Sequence, residues 1–163
     1  MSVVALLAVL LLTVSARTER LYQAAEGFKA PSLVIESNDS TDGISLTDLR
    51  GKYVLVNFWS STDAQSRIMA KDYDLISGDY DAERFRHVAV NTDHTRSLFR
   101  EITRHDGLDA TVHYYYADAA NSGRMTDDWH LESGFRSFLI DPQGHILAVN
   151  PTRETLDRTF GSR

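Results

Sequence analysis

Residues 51–67 read GKYVLVNFWSSTDAQSR, and the two halves of this stretch obey different periodicities. Tyr53 to Trp59 is a nearly continuous apolar and aromatic run, the pattern of a strand buried on both faces. Ser60, Ser61 and Thr62 then supply a short polar turn. From Asp63 onward the spacing becomes helical. Met69, Tyr73, Ile76 and Tyr80 fall at intervals of four, three and four, which predicts a helix over 63–80 with one face aimed at the sheet. Asp63 stands where such a helix begins, and its carboxylate can accept from the free amides of Gln65 or Ser66. A buried strand feeding an amphipathic helix is a building unit of layered α/β architecture.

The flanks extend that unit. Phe85 to Asn91 predicts a second core strand parallel to the first, and Thr95 to His105 a second helix with Leu98, Phe99 and Ile102 on one face. Val112 to Ala117 is extended, and its consecutive Tyr114, Tyr115 and Tyr116 must alternate sides, so at least one ring is expected in the core. Residues 118–128, DAANSGRMTDD, read as a polar loop or insertion. Ser137–Ile140 and His145–Val149 predict a hairpin across Asp141, Pro142, Gln143 and Gly144, a type I turn. Thr152 caps a C-terminal helix that runs to Phe160. Upstream, Ser37 to Gly43 is a turn cluster between two short extended pieces, and 17–26 is a short helix or an arm. The fold class is α/β, with a central mixed sheet and helices on both faces.

The order of short motifs resembles a known family. Gly27 to Leu33 (GFKAPSL) is similar to a G-x-x-A-P-x-F/L opening, and Gly43 to Lys52 to a G…S-L-x-x-L-x-G-K run. Val56 to Ser61 (VNFWSS) is close to V-N-F-W-A-S, and Phe138-Leu139-Ile140-Asp141 with Gly144 to F-L-I-D-x-x-G. Together these resemble the periplasmic thioredoxin-like proteins of the TlpA/ResA-like, AhpC/TSA-related group, over nearly all of residues 17–163. The resemblance implies a thioredoxin-like fold and a thiol–disulfide site. Two departures fall on that site. In the family W-C-x-x-C-R follows the strand; here Asp63 and Ser66 occupy the two cysteine positions. Phe135 sits where the family carries its cis-proline, and Arg136 follows where Thr is usual.

The chain contains no cysteine at all. Disulfide exchange begins with thiolate attack on sulfur, and no side chain here can perform it. Peroxidase chemistry of the related peroxiredoxin kind fails on the same ground, as do a disulfide framework and a thiolate metal site. Its 163 residues, 42% hydrophobic and 25% charged, are ordinary for one globular domain. A net charge of −6 argues against nucleic acid as a partner. Val3 to Val14 is an apolar run too short to span a bilayer, and Val14-Ser15-Ala16 offers small residues for cleavage after Ala16. Residues 1–16 therefore read as a signal peptide, with export to the periplasm of a Gram-negative envelope and no stable membrane span after cleavage. An uncleaved anchor or a buried N-terminal helix is the alternative, since no Lys or Arg precedes the run.

The candidate site is the old active-site edge. A helix N-terminus that stabilises a thiolate in the family holds the Asp63 carboxylate here, so the anion is kept and the nucleophile lost. The expected role of Asp63 is a cap; acid–base work is the weaker reading, because a cap carboxylate tends to a low pKa. Ser66 has no G-x-S-x-G elbow and no base beside it, and reads as a first-turn hydroxyl. The six histidines show no i, i+4 pair and no H-E-x-x-H, so no metal and no cofactor is expected. Asp93, His94 and Asp63 can converge at the carboxyl edge of the sheet, although separate surface histidines are the simpler reading. Arg96, Arg100 and Arg104 recur every four residues as a solvated helix face or, secondarily, an anion or partner contact.

The family's cis-Pro segment presents backbone to an extended substrate, so the resemblance implies a peptide groove here. A cis bond before a residue other than proline costs about 3 kcal/mol, so the Phe135 peptide is expected trans. Phe135 then fills the groove or lines it. The predicted binding edge comprises Trp59, Asp63, Gln65, Phe135 and Arg136, engaging a protein or peptide partner. The functional expectation is a redox-inactive thioredoxin-like binding or accessory module. The alternatives are an enzyme with non-thiol chemistry at the same edge, or an accessory subunit of a cysteine-bearing redox partner.

Overall fold

The computed structural model describes residues 23–35, 43–116 and 122–161. The proposed leader at 1–16, residues 17–22, most of the Ser37–Gly43 turn and residues 117–121 lie outside the described residues. Strands β1 (Val34–Ile35) and β2 (Ile44–Ser45) pair antiparallel as a small ribbon. The central sheet has five strands in the order β5-β4-β3-β6-β7. These are β3 (Tyr53–Trp59), β4 (Phe85–Asn91), β5 (His113–Tyr115), β6 (Ser137–Ile140) and β7 (Ile146–Val149). β3, β4 and β5 run parallel, while β6 and β7 are antiparallel to their neighbours. The predicted boundaries of β3, β4 and β6 hold to the residue, because an apolar run flanked by polar turns has only one way to enter a covered sheet.

Among the described residues, four helices cover this sheet: α1 (Ala64–Ser77), α2 (Arg96–Asp106), α3 (Ser122–Asp128) and α4 (Arg153–Phe160). Side-chain alternation along β3 sorts the core into two faces. Val54, Val56 and Phe58 face one side with Val88, Val90, Phe138, Ile140 and Ile146. Met125, Trp129 and the ribbon close that side. Leu55 and Trp59 face the other, under α1, α2 and α4, which contribute Tyr73, Phe99 and Leu156. Tyr53, Tyr80, Phe85 and Phe160 form an aromatic group there, with ring centroids 5.0–5.3 Å apart.

Two local predictions change. Residues 122–128 form a helix, where the sequence reads as a polar loop. Its segment SGRMTDD carries one apolar anchor, Met125, and gains its stability from that residue and from Trp129 just beyond the last turn. Trp129 is fully buried, with its ring 5.1 Å from Phe58 and 5.0 Å from Phe138. The first helix ends at Ser77, so Tyr80 packs from the loop that follows. The hairpin turn is closed as expected by Gly144 N–H donating to Asp141 O at 2.9 Å. Asp141 Oδ1 also accepts from the Gln143 and His145 amides at 2.9 and 2.8 Å. Gly144 takes φ +88°, a conformation that only glycine adopts without strain.

Candidate functional site

The carboxyl end of β3 delivers the chain into a turn whose polar groups bond to one another. Asp63 caps α1: its Oδ1 accepts from Ser66 N–H at 2.7 Å. The Ser66 hydroxyl accepts from Ser60 N–H at 3.2 Å and donates to the Asp63 carbonyl at 3.2 Å. With its donor and an acceptor position committed inside the turn, and only 3% exposed, Ser66 is a turn-closing hydroxyl. Asp63 and Ser66 are thus bonded to each other.

Asp93 completes the turn from beyond β4. Its Oδ1 accepts from the Ser60 hydroxyl at 2.7 Å and from Ser61 N–H at 2.8 Å. Its own N–H donates to Asn91 Oδ1 at 3.0 Å. Asp93 therefore does converge with the Asp63 turn, whereas His94 beside it is exposed. Among the described residues no group of three or more His, Asp or Glu is arranged to hold a metal ion. On the outer side, Arg67 grips Asp106 with two nitrogens at 2.8–2.9 Å, tying the first turns of α1 to the end of α2. Burial pushes Asp106 up, but the His105 and Arg67 hydrogen bonds outweigh it and hold the carboxyl below its usual range.

The residues predicted for the binding edge separate. Trp59 is 0% exposed and belongs to the helix-covered face, its ring 6.0 Å from Phe99 and 5.3 Å from His113. It cannot join a surface patch, and this corrects the expectation of a Trp–Phe–Arg surface. The reason is parity: Trp59 points to the same side as Leu55, while Phe135 packs against the opposite core. Arg136 lies alongside the end of β3, since Phe58 N–H donates to its carbonyl at 3.0 Å. Phe135 and Arg136 are half-buried, Asp63 is half-buried and Gln65 is exposed. All peptide bonds of the described residues are trans, the 134–136 segment included.

Sequence reasoning missed a polar knot in the interior. Asp74, on α1, points down between His87 of β4 and His113 of β5. His113 Nε2 lies 3.0 Å from both carboxylate oxygens, and Asp109 N–H donates to Oδ2 at 2.8 Å. His87 Nδ1 lies 3.2 Å from Oδ1, an ion-pair distance with imperfect hydrogen-bond aim. His87 Nε2 is 2.6 Å from Asn57 Oδ1, while Asn57 Nδ2 has no partner. Turning the Asn57 amide over gives Nε2 of a neutral imidazole the donor it needs. Burial pushes Asp74 up, yet the hydrogen bonds from His113, His87 and Asp109 N–H win, and its carboxyl sits well below the usual range. Burial dominates at His87 and lowers it against the pull of Asp74. The carboxylate itself fills the space between the two rings. Nothing in sequence linked residues 74, 87 and 113; only strand register brings them together.

Comparison with known proteins places this architecture. No family model and no curated protein matches the chain. Solved structures do. A thioredoxin-like protein from Parabacteroides distasonis is 25% identical with a TM-score of 0.71, covering 85% of this chain and 96% of that one. The thioredoxin domain of a thiol-disulfide oxidoreductase from Bacteroides vulgatus is 23% identical with a TM-score of 0.71, covering 83% and 94%. A thiol:disulfide interchange protein from a Bacteroides species is 23% identical with a TM-score of 0.69, covering 83% and 87%. The fold is thioredoxin-like, its structural neighbours are thioredoxin-like thiol-disulfide oxidoreductases, and the chain carries no cysteine with which to do their chemistry.

Proposed function

We propose that this chain is a redox-inactive thioredoxin-like protein, exported to the periplasm, that binds a protein or peptide partner through the former active-site edge. One observation carries the reading. The strand–turn–helix that presents the family's dithiol is kept in full, while Asp63 and Ser66 replace both sulfurs and bond to each other. A scaffold retained without its nucleophile serves positioning or contact rather than exchange. The edge that remains is Asp63, Gln65, Phe135 and Arg136, with Trp59 removed to the core. A half-buried phenylalanine and arginine and an exposed glutamine suit the anchor-and-rim composition of a protein contact. No helix among the described residues is long and apolar enough to cross a membrane, which is compatible with release after cleavage at Ala16.

The test places a photo-crosslinking residue at Gln65 and, as a control, at the exposed Leu75 on the far half of α1. A partner captured from Gln65 and not from Leu75 should then lose affinity in Phe135→Ala and Arg136→Ala, by about 1 kcal/mol or more for an anchor. Equal capture from both positions, with both alanine variants binding normally, moves the interface elsewhere. Turnover of a disulfide substrate by the purified chain sinks the redox-inactive part of the reading.

A further inference from the structure

At the opposite end of the sheet lies an open cavity of about 340 Å³. The ribbon approaches the sheet there, and the described residues leave a space between them. Its walls are mainly apolar, with Leu33, Leu46 and Leu49 from the ribbon side and Val54 and Ile140 from the sheet, and Ser32, Ser45 and Thr47 add hydroxyls.

The rim carries charge. Arg50 is the one cation among the described residues that line the cavity. Its guanidinium lies against Gly144, where the absence of a side chain makes room; a Cβ at that position would collide with it. Gly144 thus serves twice, as the left-handed turn residue and as the seat of the arginine. Asp141 also lines the space but is committed to its own turn, accepting two amides through Oδ1 and lying 3.5 Å from His145 Nδ1 through Oδ2. The Arg50 side chain makes no hydrogen bond or ion pair with a described residue. An apolar hollow with few convergent polar groups is the usual form of a small-molecule site. At protein packing density it holds a body of roughly a dozen non-hydrogen atoms.

We infer that this cavity binds a small amphipathic carboxylate, its apolar body against Leu46, Leu49 and Ile140 and its anionic end on the Arg50 guanidinium. The pairing follows from geometry: a guanidinium fork matches a carboxylate with two parallel hydrogen bonds. The site is independent of the partner edge, which lies at the other end of β3.

Decanoate, with a body of about that size, is the probe, titrated into the full chain below its micelle concentration. Saturable binding is expected, with shifted backbone amide resonances at Leu33, Leu49 and Ile140. Arg50→Gln should weaken binding roughly tenfold, the scale of a charge-assisted hydrogen bond. Uncharged 1-decanol should bind wild type more weakly than decanoate does, by a comparable factor. Leu49→Trp should abolish binding by filling the hollow. If that variant does not fold, the resonance map, Arg50→Gln and the alcohol still decide. The inference is overturned by the absence of saturable binding at millimolar decanoate or by shifts confined to another region. It is equally overturned if Arg50→Gln and 1-decanol match wild type with decanoate.

Discussion

The two faces of the central sheet are built on opposite principles. On the ribbon side, Val54, Val56 and Phe58 meet Val88, Val90, Phe138 and Trp129, and the contact is hydrocarbon and aromatic ring. On the helix side, β3, β4 and β5 place Asn57, His87 and His113 under α1, around a carboxylate whose side chain is 10% exposed. The first face is held by area removed from water, which is non-directional and indifferent to pH. The second depends on aimed hydrogen bonds around a buried charge, which are costly to leave unmade. The fold is tolerant on the first face and exacting on the second. The apolar face can exchange one hydrocarbon for another of similar volume, whereas the polar face needs all its members or none.

The largest expected effect tests the apolar face. Phe58→Ala removes the ring that Trp129 and Phe138 both touch, and should cost about 3–5 kcal/mol in denaturant unfolding. The loss should be the same from mildly acidic to neutral pH, because the members of its cluster are hydrocarbon or aromatic side chains, and the tyrosines among them titrate only near pH 10. A loss that varies with pH would blur the distinction between the faces.

The next effect tests the polar face. Asp74→Ala leaves two buried imidazoles without their acceptor and should cost about 3 kcal/mol at neutral pH. Replacing Asp74, His87 and His113 together by leucine should be much less damaging, since a buried ionic group can be exchanged for packed hydrocarbon at little cost. The pH profile separates the contributions. His87 is lowered in the folded state, so its contribution is complete above the unfolded value of about 6.5 and fades as pH falls below it. Asp74 is also lowered, so its contribution is complete above about 3.9 and fades in stronger acid. Wild type should therefore lose stability in two acid limbs, and Asp74→Ala should have a shallower lower one, with Asp106 keeping its own share. A single unchanged profile in the variant would show that Asp74 is not the buried acceptor.

The smallest effect lies outside both faces, at the turn. Asp63→Ala removes one cap and should cost about 1 kcal/mol. Unchanged stability on thermal unfolding would deny the capping role and return Asp63 to consideration as a functional carboxylate.

Much of the fold is legible in the chain itself. The run Tyr53–Trp59 and the four-three-four spacing from Met69 encode a buried strand and an amphipathic helix locally, because burial periodicity is written in consecutive residues. The absence of cysteine excludes thiol chemistry on composition alone. The cap at Asp63 is equally readable, since capping acts over three residues. What tertiary structure alone decided is everything that depends on which side a residue faces and which strand lies beside it. It sent Trp59 into the core, away from Phe135, through parity on β3. It made a helix of 122–128 by giving Met125 and Trp129 a place to be buried. It joined Asp74, His87 and His113, and it seated Arg50 on Gly144 over an open hollow. Local periodicity fixes the direction of a side chain relative to its neighbours in sequence, whereas contacts between distant residues exist only once strand order and register are set.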